Sequence, residues 1–68
     1  MVKYIVTKSA AAERTLYGIT AVCDQTELDS IDDIAPTLEE TAALAALLQE
    51  NGVSAAHFHD IVEDYLAR

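Results

Sequence analysis

The chain has no tryptophan, one cysteine, one proline and two glycines, and only four lysines and arginines among its 68 residues. Each shortage excludes something. A lone Cys23 forms no internal disulfide, so the small core is not stapled and a reducing compartment, the cytoplasm, is the expected location. Two isolated glycines, Gly18 and Gly52, build no phosphate-cradling loop. The longest apolar run near the N-terminus, Tyr4-Ile5-Val6, is too short for a signal peptide, and no stretch approaches a membrane span. Scarce cations argue against direct nucleic-acid binding, which rests on basic groups displacing counterions from phosphates.

What is present is apolar and acidic. An apolar fraction of 51% marks a folding chain rather than a disordered one. Residues 1–23 hold Lys3, Lys8 and Arg14 against Glu13, a net charge of +2. Residues 24–68 hold eleven acids against Arg68, a net charge of −10. A domain of this size buries only about 60% of the surface its unfolded chain exposes, leaving little room for a catalytic pocket or a cofactor. A non-enzymatic binding module, without cofactor or metal, is therefore expected.

Two segments rich in β-branched and aromatic residues predict strands at about 2–8 and 14–24, joined by a loose connection through Ala10-Ala11-Ala12. In the second strand Tyr17, Ile19, Ala21 and Cys23 form the better core face, and Gly18 marks a bulge or the close approach of a neighbouring helix. A third strand is optional at 28–34, after a polar turn over Asp24-Gln25-Thr26-Glu27. Thr37 and Glu40 after Pro36 form a capping-box pattern that starts a helix over 38–51, and Asn51-Gly52 ends it. Ser54 caps a second helix over 55–67. The expected fold is a single α+β domain over 1–68, ββ(β)αα, with both helices on one face of a small antiparallel sheet.

At 100° per residue, Leu38, Thr41, Leu44, Ala45, Leu47 and Leu48 form the apolar half of the first helix. The other half, with Ala42, Ala43 and Ala46 between Glu39 and Glu50, carries methyl groups where charge is usual, so it is a candidate partner surface. In the second helix Phe58, Ile61, Val62, Tyr65 and Leu66 form the docking stripe, and Asp60, Glu63 and Asp64 lie opposite. His57 and His59 stand about 200° apart around the helix axis and cannot chelate one ion. Ordinary helical polar pairs of His59 with Glu63, and of His57 with Asp60 and Asp64, are the expectation, with both rings as half-buried flanks of the stripe. The acids between Asp24 and Asp33 lack the glycine and spacing of a calcium loop and read as a solvated strand edge. Cys23 has no basic residue nearby in sequence and reads as a buried strand end rather than a nucleophile.

Tyr4, Tyr17-Gly18-Ile19, Ile31-Asp32-Asp33-Ile34 and His57 with Asp60-Ile61-Val62-Glu63-Asp64-Tyr65-Leu66, in that order, give the chain a resemblance. It resembles a family of short uncharacterised proteins of clostridia and related Gram-positive bacteria, catalogued as a domain of unknown function. The resemblance implies a bacterial protein and transfers no catalytic or binding residue. The alanines at 10–12 and 42–46, and Ala35-Pro36, depart from the family's pattern.

The leading expectation is an acidic protein-binding accessory module, with self-association as one form of it. Its candidate surface is Ala42, Ala43, Ala46, His57, Asp60, Glu63 and Asp64. An acidic decoy that occupies a basic site in place of nucleic acid is the alternative. A small metal-binding or enzymatic domain around His57 and His59 is the third.

Overall fold

The computed structural model describes residues 2–11 and 14–67. Strands β1 (Val2–Ala11), β2 (Arg14–Cys23) and β3 (Thr26–Ala35) form an antiparallel meander in the order β1-β2-β3. Helices α1 (Leu38–Glu50) and α2 (Ala55–Leu66) follow. The ββ(β)αα layout is as the sequence predicts, and the optional third strand is a full partner of β2.

Both hairpins are longer and tighter than the composition suggests. Pairing of β1 with β2 continues without interruption from Val2↔Cys23 to Ala11↔Arg14, so Lys8–Ala11 is strand rather than loose connection. Cross-strand pairing has overridden alanine's weak β preference, as context does. Ala12, also assigned to that connection, and Glu13 lie outside the described residues. Between β2 and β3 the turn is only Asp24-Gln25, with φ of 49° and 66°, and Thr26 already pairs with Cys23. Two successive left-handed residues are the signature of a type I′ hairpin turn, whose twist matches that of the flanking strands.

The β2–β3 ladder has two irregularities. Leu28 is an extra residue between the pairs Val22↔Glu27 and Ala21↔Asp29. Further on, a single residue of β2, Gly18, faces three of β3, because Ile19 pairs with Ile31 and Tyr17 with Ala35. There β3 arches over Gly18. A Cβ on that glycine would lie 2.9 Å from the Asp32 Cα and closer still to the Ile31 carbonyl oxygen. Gly18 thus marks a bulge, one of its two expected roles, and the close approach there is of a strand, not of a helix. Asp33, with φ of 57°, completes the arch, and its carboxylate accepts a 3.1 Å hydrogen bond from the Ser9 hydroxyl of β1.

Both helices cover one face of the sheet, α1 mainly over β1 and α2 against β3. Tyr4, Ile19, Ala21, Ile34, Ala35, Leu44, Ala45, Leu48, Phe58 and Val62 form the core, and the Tyr4 and Phe58 rings stand 5.2 Å apart at a tilted angle. Ile19 and Ala21 confirm the expected core face of β2, with Tyr17 and Cys23 half-buried at its ends. Thr37 caps α1 by accepting the Glu40 N–H at 3.3 Å. At the other end Gly52, with φ of 59°, and Val53 donate their N–H groups to Gln49 and Leu48, the two bonds of a Schellman motif. Ser54 precedes α2, but its hydroxyl makes no cap bond; the His57 N–H reaches the Ser54 carbonyl instead.

Candidate interaction surfaces

The first helix differs from its wheel in one respect that matters for function. Thr41, Leu44, Ala45 and Leu48 are buried, whereas Leu38 and Leu47, assigned to the same apolar half, are 53% and 46% exposed. They flank Ala42, Ala43 and Ala46, all exposed, so that two rows at i, i+4 spacing, Leu38-Ala42-Ala46 and Ala43-Leu47, share the outer side of α1 with the two leucines at its opposite edges. Glu39, Glu40 and Glu50 border this strip. A sheet three strands wide offers α1 only a narrow seat, and the rest of its apolar circumference stays in water.

On α2, Phe58 and Val62 are buried and Ile61 and Tyr65 half-buried, but Leu66 is exposed. Asp60, Glu63 and Asp64 are exposed. Both histidines are exposed too, which corrects the expectation of half-buried flanks. His59 makes a tertiary contact: its Nε2 lies 2.7 Å from Asp29 Oδ2 on β3. That bond, with a second from the Ser30 N–H, holds the Asp29 carboxyl below its ordinary value. The pair ties α2 to β3 at the surface. Among the described residues, no three histidine, cysteine, aspartate or glutamate side chains converge on a point where a metal could sit.

Two side chains organise the joint between sheet and helices: Gln49, which the sequence did not single out, and Tyr4, which it marked only as part of the resemblance. Gln49 of α1 accepts the Tyr4 N–H at 3.1 Å and donates to the Val2 carbonyl at 2.9 Å. Its amide therefore occupies the position a further strand would take beside the outer edge of β1. Tyr4 donates its hydroxyl to the Val53 carbonyl in the link between the helices, and burial pushes its phenol pKa up. No local pattern signals either contact, since the partners lie 45 and 49 residues apart.

A family of unknown function, DUF6514, matches the sequence over residues 1–68. The chain belongs to that family. No curated protein and no solved structure matches it. In this DUF6514 chain the residues that carried the resemblance fall largely on structural joints. Tyr4 links β1 to the helix connection, Gly18 receives the Ile31–Ile34 arch, and Val62 fills the core under α2. His57, Asp60, Glu63 and Asp64 instead lie on the solvent side of α2. No helix of the described DUF6514 chain is long and apolar enough to cross a membrane.

Proposed function

We propose that this domain is a non-enzymatic, cytoplasmic protein-binding module that presents the outer strip of α1 to a partner protein. The observation that carries this reading is the exposure of Leu38 and Leu47 beside Ala42, Ala43 and Ala46. Alanines alone are explained by helix propensity. Two half-exposed leucines, one on each flank of the alanines, are not, because they add apolar area with larger side chains at the two edges of the outer side. The acids around the strip, with Asp60, Glu63 and Asp64 on α2, select a partner whose contact rim is basic and speed its approach.

A photo-crosslinking residue at Ala46, introduced in the native cell, tests this. The expected result is a discrete crosslinked protein that disappears when Leu38 and Leu47 are both changed to lysine. Absence of a discrete product, or one indifferent to the lysine pair, refutes the reading. The acidic-decoy alternative predicts instead that binding collapses steeply with salt and ignores the leucines.

A further inference from the structure

The outer edge of β1 and one row of α1 above it form a single surface in two layers. β1 lies at the edge of the sheet, and Gln49 holds the Val2 carbonyl and the Tyr4 N–H from outside it. Even-numbered residues of β1 therefore turn their backbone groups outward, and odd-numbered ones turn theirs to β2. Beyond Gln49 the outward groups of Val6, Lys8 and Ala10 meet no partner among the described residues. Such an edge accepts another strand. Gln49 also fixes which side of α1 stands over this edge: at 100° per residue, Leu38, Ala42 and Ala46 lie within about 60° of it around the helix. All three are exposed, and α1 sits mainly over β1. Ala43 and Leu47 lie on the far flank. The β3 arch is on the other face of the sheet and reaches β1 at the Ser9 hydroxyl, not at the outward backbone groups.

Whatever covers this surface must bring a strand in the lower layer and an apolar helix row in the upper one. A second copy of the chain brings both in the same relation, when β1 pairs antiparallel with its counterpart about a twofold axis perpendicular to the sheet. The two α1 helices then run side by side, each Leu38-Ala42-Ala46 row toward the other, and alanines let helix axes approach to about 8 Å. Gln49 and Lys8 select the register. An axis at Lys8 sets like charges directly opposite one another. An axis at Val6 runs Ser9 of one copy into the position that Gln49 of the other holds beside Val2 and Tyr4. An axis at Thr7 avoids both: Val6 exchanges its N–H and C=O with Lys8 of the other copy, Ile5 stands against Ser9, and the ladder ends at Tyr4 and Ala10. Charge agrees with this. Neither β1 nor the row contains an acid, in a chain whose net charge is −8. The Lys8 side chain, on the helix side with Tyr4 and Val6, points toward the last turn of the other copy's α1, which ends in Glu50 and has no cation of its own.

We infer that two copies of this chain pair through their β1 edges about an axis at Thr7, with the Leu38-Ala42-Ala46 rows of their α1 helices in contact above. The inference rests on the reading of α1 as an interaction surface and names a second copy as the partner of its β1-side row. The contact is about 20 Å long and two layers deep, small for a specific interface, so the dimer is weak and concentration-dependent. Ala43 and Leu47 stay outward in the pair.

Sedimentation velocity of the full chain from micromolar to millimolar concentration tests the inference, and the mass is expected to climb from 7.4 kDa toward twice that value. Lys8→Pro removes an outward N–H and no bond to β2, so the chain stays folded by circular dichroism while association weakens at least about 10-fold. Ala42→Glu weakens it about 10-fold as well, whereas Ala43→Glu, the same charge on the far flank, leaves it within about 3-fold. A single-copy mass throughout, a dimer indifferent to Lys8→Pro or to Ala42→Glu, or equal losses from Ala42→Glu and Ala43→Glu overturns the inference. Should Lys8→Pro fail to fold, the Ala42 and Ala43 pair decides alone. The crosslink at Ala46 separates this inference from the reading it rests on. A product of twice the chain's mass supports both, and a product with a different protein, from a chain that stays single-copy, overturns this inference alone.

Discussion

The Gln49 side chain gives the sharpest test of how the helices are fixed to the sheet. Changing it to alanine removes both of its hydrogen bonds to β1, to the Tyr4 N–H and the Val2 carbonyl. Each such bond contributes about 0.5–1.5 kcal/mol net. Gln49 is exposed, so water replaces part of what is lost and the lower part of that range applies, giving about 1–2 kcal/mol for the pair. For a domain of this size that is a shift of roughly 4–16 °C in the melting midpoint. Gln49→Glu dissects the pair: a carboxylate still accepts from Tyr4 but cannot donate to Val2, and about half the effect is expected. Thermal melts by circular dichroism give the midpoints, and amide hydrogen exchange at Tyr4 reports locally. The reasoning fails if Gln49→Ala melts with the native chain, or if Tyr4 exchange is unchanged in it.

Gly18→Ala places a methyl group against the backbone of Ile31 and Asp32, which has no rotamer with which to yield, and a loss of about 3 kcal/mol or more is expected in urea unfolding. A loss below about 1 kcal/mol would show that the arch over Gly18 is not rigid. Gln25→Gly relieves a non-glycine residue at φ of 66°. The relief of about 1–2 kcal/mol, less the entropy glycine gives up on folding, leaves a gain of about 0.5–1 kcal/mol, and a lowered melting midpoint would refute the I′ turn. Asp29 has a folded-state pKa below its ordinary value of 3.8, so its contribution is fully present above that value and is lost as pH falls through the lower, folded one. Asp29→Asn should flatten the stability profile in that acid window, and an unchanged slope in acid unfolding would discount the His59 contact.

The parts of the fold that were legible in the sequence are those whose signal is local. Thr37 with Glu40, and Asn51 with Gly52, place both ends of α1 because a cap is completed within a few residues. Ile19 and Ala21 declare the inner face of β2 by simple alternation. What was hidden depends on residues far away. The Asp24-Gln25 turn lacks the glycine that usually announces a I′ hairpin, and only the twist of the paired strands holds it left-handed. Leu38 and Leu47 carry the right spacing for burial, but how much of a helix is buried depends on the width of the sheet beneath it. His59 found its acid on β3 rather than at the next turn of its own helix, and Gln49, polar on a polar stretch, gave no sign that it grips a strand.

Tyr4 also bears on when the chain can fold. Its backbone is held by Gln49, its hydroxyl by Val53 and its ring by Phe58, so the first strand is completed only by residues from the last third of the sequence. The meander can form early from neighbours in sequence. Until the two helices exist, however, its helix-facing side holds Tyr4, Ile19 and Ala21 bare to water. A chain that stops before α2 therefore keeps this apolar side of the sheet exposed, and is suited to aggregation or degradation rather than to work as a smaller domain.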